Sequence, residues 1–249
     1  MEKFLGIILS AVLSLCLAGC GNTANGTAQA GVLVMATNAE FPPYEYHEGS
    51  QIVGIDAEIA AAIAEKMGCE LKIEDIAFDS IIPEVSSGKA DMGMAGMTVT
   101  EDRKQNVDFS DTYAIARQVV IVRADSGIES LDDLEGLTIG VQQGTTGDIY
   151  ASEDYGDDHI ERYAKGMEAV QALTQGKVDA VIIDNEPARV FVAENEGLVI
   201  LEEAYADEEY AIAVKKGNTE LLNQINAALA ELKADGTLDA IVAKYISAE

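Results

Sequence analysis

Arg103 lies in the segment Gly96-Met97-Thr98-Val99-Thr100-Glu101-Asp102-Arg103, which reads as a strand end running into a helix start. Thr100 is a good N-cap, and Glu101 and Asp102 suit the positive first turn. A cation there opposes the helix dipole, so Arg103 is expected to have another partner. Its planar fork meets a carboxylate through two parallel charge-assisted bonds, each contributing roughly 1.5–3 kcal/mol. A ligand carboxylate and one of the many surface acids both fit that role. Gln142-Gln143-Gly144-Thr145-Thr146-Gly147 follows an apolar strand and precedes a helix, a turn whose amides can hold an anion. It has neither the spacing nor the Lys of a phosphate-binding loop, although a plain capped turn would look the same. Asp184 closes Val181-Ile182-Ile183 and can either cap the next helix or hold an ammonium. Phe41 and Phe78 are aromatics beside predicted strand ends, where core packing is the ordinary use. Joined, an Arg fork with amides for a carboxylate, an Asp for an ammonium and aromatics for an aliphatic stem describe a receptor for a free α-amino acid.

The elements that must position these groups alternate between strand and helix, which predicts an α/β fold with mostly parallel sheets. A strand at 32–36 precedes a helix opening at Asp56, where Ile55, Ile59, Ile63 and Met67 recur every four residues until Gly68. A strand at 70–76, a short helix at 81–85, a strand at 91–97 and a β-branched strand at 119–122 follow. A second series opens with a strand at 138–141 and continues with a helix near 167–175, a strand at 178–183 and a helix at 186–194. A strand at 210–214 and helices at 219–234 and 238–245 close the chain. The two series echo each other: Gly88-Lys89-Ala90-Asp91 and Gly176-Lys177-Val178-Asp179 each lead from a helix end into a buried strand. Two similar lobes explain the echo; a common helix-to-strand connector is the alternative. With two lobes, Gly96 and Asp184 end equivalent strands and face each other across a cleft, because ligands gather at the carboxyl ends of strands in open sheets.

The chain has 249 residues, enough for one or two domains with a sizeable core. Apolar residues at 48% and charged residues at 24% exclude wholesale disorder. Lys plus Arg is 16 against Asp plus Glu 44, a net charge of -28, which repels nucleic acid and anionic membrane surfaces. Trp is absent, and two His and three Cys leave little material for a zinc site or a nucleophilic triad, so no metal or cofactor is expected. An apolar run at 4–15 is shorter than the ~20 residues a spanning helix needs and occupies the place of a signal h-region. Leu17-Ala18-Gly19-Cys20 after it resembles a bacterial lipobox, which makes 1–19 a signal peptide and Cys20 the lipidated first residue of the mature chain. Residues 20–30 then read as a flexible tether. Cys16 leaves with the signal, so Cys69 is the remaining free thiol, expected as a small buried hydrophobe.

The chain as a whole, from 32 to 246, resembles the polar amino-acid-binding proteins of ABC importers, bacterial solute-binding proteins of family 3 that include glutamine-, histidine- and arginine-binding members. The likeness is carried by Ala36-Thr37-Asn38-Ala39-Glu40-Phe41-Pro42-Pro43-Tyr44-Glu45, Val53-Gly54-Ile55-Asp56, Gly96-Met97-Thr98-Val99-Thr100 with Arg103, Asp108-Phe109-Ser110-Asp111, and Gln143-Gly144-Thr145-Thr146, in family order. It implies a two-lobe fold of the type II periplasmic-binding-protein kind, each lobe a mostly parallel sheet flanked by helices. Lobe 1 would be 31–114 with 211–249 and lobe 2 would be 115–210, joined by two hinge strands. By family position Arg103 would clamp the α-carboxylate with Thr98 and groups at Thr145 and Thr146. Gly96 and Asp184 would take the α-ammonium, Phe41 and Phe78 would sandwich the side chain, and Asn38 and Gln142 would touch its tip. Many relatives carry Asp at the Asn38 position, and Glu40 could restore that charge. The implied molecule is no enzyme. It is a monomer tethered outside the cell membrane by its lipid, binding a free polar L-amino acid, basic ones included, and docking on permease subunits. A dehydratase of the same fold, using Glu40 or Glu45 as acid or base, and a ligand-sensing module are the alternatives.

Overall fold

A computed structural model describes residues 31–246. The expected signal peptide, the lipidation site Cys20 and the tether lie outside the described residues. In chain order, β1 (Val32–Thr37) leads into three short strands, β2 (Glu40–Phe41), β3 (Glu45–Glu48) and β4 (Gln51–Val53), and then into α1 (Ile55–Met67). There follow β5 (Glu70–Asp75), α2 (Phe78–Ser87), β6 (Met92–Gly93), α3 (Glu101–Lys104) and β7 (Val107–Phe109). The long β8 (Ala114–Arg123) opens the second half, with β9 (Ile139–Gln142), α4 (Thr146–Tyr155), β10 (Ile160–Tyr163), α5 (Gly166–Thr174), β11 (Ala180–Asp184), α6 (Asn185–Glu194) and β12 (Leu198–Ile200). Finally β13 (Ala206–Tyr210) returns to β14 (Ala213–Lys215), α7 (Thr219–Ala234) and α8 (Thr237–Tyr245).

Two sheets organise these elements. The first has the order β5-β1-β6-β14-β7 and the second β10-β9-β11-β8-β12, with β13 also paired to β8. Both are mixed. The strands that alternate with helices pair parallel, β1 with β5 and β6, and β9 with β10 and β11. The strands next to the passages between the sheets pair antiparallel, β14 with β6 and β7, and β8 with β11, β12 and β13. The chain passes from first sheet to second into β8 and back out of β13, and these two lie side by side from Ala114 opposite Tyr210 to Gln118 opposite Ala206.

The repeated Gly-Lys-x-Asp has one structural job in each lobe. Asp91 accepts a hydrogen bond from the Val34 amide at 2.8 Å and Asp179 from the Thr138 amide at 3.0 Å, so each carboxylate ties its strand to the parallel strand beside it, β1 or β9. The apolar stripe of α1 (Ile55, Ile59, Ile63) packs in a core with Leu33 and Met35 of β1 and Leu221, Ile225 and Leu229 of α7. Gly68, in the left-handed region, ends α1 and returns its amide to Ala64 and Glu65. Val120, Val122, Ile139, Val141 and Ile182 fill one face of the second sheet.

Some elements differ from expectation. The strand expected at 91–97 is only Met92–Gly93, since Gly96 turns to φ +52° and takes the chain off the ladder. Gly96 therefore lies beyond a strand end, whereas Asp184 does end β11. The strand expected at 210–214 is divided between β13 and β14, and the short helix at 81–85 extends over Phe78–Ser87, so Phe78 opens a helix. Cys69 is half-buried rather than buried, its thiol donating to the Met67 carbonyl at 3.7 Å. Among the described residues no helix is long and apolar enough to cross a membrane.

Candidate functional site

A small cavity lies between the two sheets, lined by residues from both lobes. From the first lobe it is lined by Asn38 after β1, Phe41 on β2, Glu45 on β3, Phe78 at the start of α2, Ala95, Gly96 and Thr98 after β6, and Arg103 on α3. From the second come Gln142 at the end of β9, Thr145 and Thr146 at the start of α4, and Asp184 at the end of β11. Every cavity residue singled out from the sequence is brought to this one place. Of the two remaining lining residues, Ala95 was not named from the sequence, and Glu45 was named only as the acid or base of the enzyme alternative.

Arg103 reaches the cavity because α3 is a single turn of four residues capped by Thr100, whose hydroxyl accepts from the Arg103 amide at 3.2 Å. The side chain is 6% exposed and folds back, Nη1 donating to the Thr98 carbonyl at 2.8 Å and Nη2 to the Gly144 carbonyl across the cleft at 3.2 Å. Its guanidinium lies over the Phe78 ring, 5.4 Å from the centroid, a cation–π contact. Among the described residues no carboxylate comes within 4.0 Å of it, so the surface-acid alternative does not hold. Burial pulls its pKa down, against the opposing fields of Glu208, Tyr150 and Asp184.

Asp184 precedes α6 in extended backbone without a side-chain capping bond, so the capping alternative does not hold either. Its Oδ2 accepts from Gln118 Nε2 at 2.8 Å and its Oδ1 from the Tyr210 hydroxyl. The same Gln118 nitrogen reaches Glu208 at 3.1 Å and Thr146 Oγ1 at 3.2 Å, and the Thr98 hydroxyl donates to Glu208 at 2.9 Å. No cation of the described residues pairs with Asp184. Burial first, and then the charge of Glu208, push its carboxyl well above the usual range. An arriving ammonium would reverse both penalties.

Gly96 is a steric necessity. A Cβ there would stand 2.9 Å from the Phe41 ring and 3.2 Å from the Tyr210 ring, at a φ that L side chains rarely adopt. Its amide donates to Asp56 Oδ2 at 2.9 Å. Phe41 stacks against Tyr44 with centroids 6.0 Å apart.

The lobes also meet around the cavity. Gln142 Nε2 donates to Asn38 Oδ1 at 2.9 Å, and Gln143 Nε2 to Asp79 Oδ2 at 2.9 Å. Gly144 approaches so closely that a Cβ would come 3.0 Å from that of Asp79. Glu40 pairs with Lys165 from the opposite lobe, so it does not restore a charge at Asn38; that expectation is corrected. The buried carboxyl on this side is Glu45, placed by the β2–β3 pairing directly opposite Phe41. Alternating pairing in a short hairpin was the sequence signal that could have found it.

Residues 33–248 match the family of bacterial extracellular solute-binding proteins, family 3. The arginine-binding extracellular protein ArtP of Bacillus subtilis is 34% identical, with the whole of both chains covered. A solved ancestral arginine-binding protein bound to glutamine is 43% identical, superposes with a TM-score of 0.83, and is covered over 99% of its length by 88% of this chain. The solved substrate-binding protein of an amino acid ABC transporter is 38% identical at a TM-score of 0.82, with 88% of this chain and 100% of that one covered. This chain belongs to the family-3 solute-binding proteins and has their two-lobe fold.

Proposed function

We propose that this family-3 solute-binding protein is the extracytoplasmic substrate-binding component of an ABC importer and that its cavity captures a free polar L-amino acid. The observation that carries the reading is a buried guanidinium without an acid partner and a buried carboxyl without a cation among the described residues, on opposite lobes of one cavity. That is the charge complement of a zwitterion. Arg103, with Thr98, Thr145 and Thr146, takes the α-carboxylate, helped by the positive amino end of α4. Asp184, with the Gly96 segment, takes the α-ammonium. Phe41 and Phe78 flank the aliphatic stem, and Asn38 and Gln142 meet its end. The names of the relatives, which describe arginine binding and amino acid transport, support a polar ligand that includes basic ones.

Delivery then follows from closure. Lobe 1 is taken as 31–114 with 211–249 and lobe 2 as 115–210, with β8 and β13 as the hinge. A ligand bonded to both lobes favours the closed form by its differential affinity for it. The closed monomer docks on the permease subunits, and Cys20, once lipidated, keeps it at the outer face of the membrane. The protein performs no chemistry of its own and uses no cofactor.

The test is isothermal calorimetry on residues 31–249 with the common L-amino acids, after unfolding and refolding to strip carried-over ligand. Arg103→Ala and Asp184→Asn are each expected to weaken binding by about a hundredfold or more, from the loss of charge-assisted bonds, while both variants keep a cooperative melt. Wild-type affinity in both would refute the reading.

A further inference from the structure

Glu208 is 3% exposed, although the zwitterion grip makes no use of it. Side chains alternate along β13, and the inward set is Glu208 and Tyr210, which brings the Glu208 carboxyl into hydrogen-bonding contact with Asp184 of β11. Donors account for three of the four oxygens of this pair. Asp184 Oδ1 accepts from the Tyr210 hydroxyl and Asp184 Oδ2 from Gln118 Nε2 at 2.8 Å. Glu208 Oε2 accepts from the same nitrogen at 3.1 Å and from the Thr98 hydroxyl at 2.9 Å. Glu208 Oε1 is buried and has no donor among the described residues, so it is the oxygen left to hold a proton. The titratable groups that face the pair are Tyr44 and Glu45 from the β2–β3 hairpin, Arg103 on α3, Tyr150 on α4 and Tyr210 on β13. Burial raises the pKa of Glu45 and of each of these tyrosines, so Arg103 is the one of them that carries a charge. Two touching carboxyls in such a site do not both ionise, and one proton between them leaves a single negative charge to balance Arg103. A zwitterion is itself neutral, so that balance survives its arrival if the proton stays in the pair. Its place must change, however. Burial and the charge of Glu208 hold it on Asp184 in the empty site, whereas an ammonium beside Asp184 favours that carboxyl ionised.

We propose that Glu208 is a positioning residue for binding, taking the proton from Asp184 when an amino acid enters and returning it when the ligand leaves. The inference rests on the zwitterion reading of the cavity and is indifferent to the ligand's side chain. The step balances: the Asp184 O–H bond breaks, a Glu208 Oε1–H bond forms, and Asp184 becomes the carboxylate that meets the ammonium. No proton passes to or from solvent. A lone buried acid in the place of Asp184 would have to shed its proton to the medium before it could bind, and affinity would then fall as the solution became more acidic. With Glu208 beside it, the pair holds the same number of protons empty and filled, and linkage gives it no slope of affinity against pH.

Calorimetry with L-arginine and with L-glutamine, each in two buffers of different ionisation enthalpy, counts the protons exchanged on binding. Glu208→Gln keeps the volume and a polar partner for Thr98 and Gln118, but its amide takes up no proton. Asp184 stays buried in the variant, so its proton must leave to solvent. The variant is expected to release about one proton more per ligand than wild type, and its affinity to rise more steeply with pH, by up to about tenfold per unit. Equal counts and parallel pH profiles in the two proteins would overturn the proposal while leaving the zwitterion site standing. Failure of both amino acids to bind wild type would overturn both. If the variant does not fold, the infrared difference spectrum of wild type, bound minus empty, decides. The protonated-carboxyl band is expected to move in frequency at constant area, and lost area or an unmoved band would overturn the transfer.

Discussion

At the scale of single residues, the site is organised by one amide. Gln118, fully buried on β8, spreads one nitrogen over Asp184, Glu208 and Thr146. Replacing it with Leu keeps the volume and removes the donor from between two carboxyls. Gln118→Leu is expected to lower unfolding free energy by about 2 kcal/mol, measured by urea denaturation, because buried acceptors lose their partner. An unchanged midpoint would mean that the carboxyls are satisfied otherwise. Arg103 and Asp184 were legible in the sequence because each breaks a local rule or ends an apolar run. Glu45 was legible only as a candidate acid or base of the enzyme alternative, because its burial in the cavity wall is not written in a chain with 44 acidic residues. What buries it is the approach of β3 to α1, whose Asp56 neighbours it, and no local pattern announces that.

At the scale of elements, α4 joins stability to binding. Its cap, Thr145, accepts from the Asp148 amide at 3.3 Å and donates to the Gln142 carbonyl at 2.8 Å, fixing the turn that presents the helix start to the cavity. Thr145→Ala is expected to cost about 1 kcal/mol of stability and to weaken ligand binding as well, with Thr145→Ser restoring both. Thermal melts and calorimetry on the same preparations check this, and restoration of neither by Ser would dismiss the cap. The regular elements with strong period, such as α1, α7 and β11, were readable within a residue or two. The short ones, β2 to β4 and β6, were not, because strands of two to four residues carry too little alternation and take their register from neighbours.

At the scale of the whole molecule, the buried acids set a pH dependence with a definite sign. Asp56 rises from an ordinary 3.8 to about 6 through burial. The folded state thus binds a proton that the unfolded chain has released; the stabilisation is complete below the ordinary value and is lost as pH climbs through about 6. Glu45 and Asp184 shift in the same sense, for the same first cause. Asp235, held down to about 2 by Thr237 and Lys66, acts oppositely, in more acidic solution. The melting temperature of the ligand-free protein should therefore fall between about pH 5 and pH 7, and Asp56→Asn should flatten that slope in scanning calorimetry. A rising or level wild-type curve would contradict these protonated acids.

The bridges Gln143 to Asp79 and Lys165 to Glu40 join lobe to lobe, and none of the four residues lines the cavity. Whatever they add to closure they add equally for every occupant, so they lengthen residence time without sharpening choice. Discrimination is left to the few groups inside, and a molecule built this way can evolve a new diet by changing its interior while its dwell time is inherited intact.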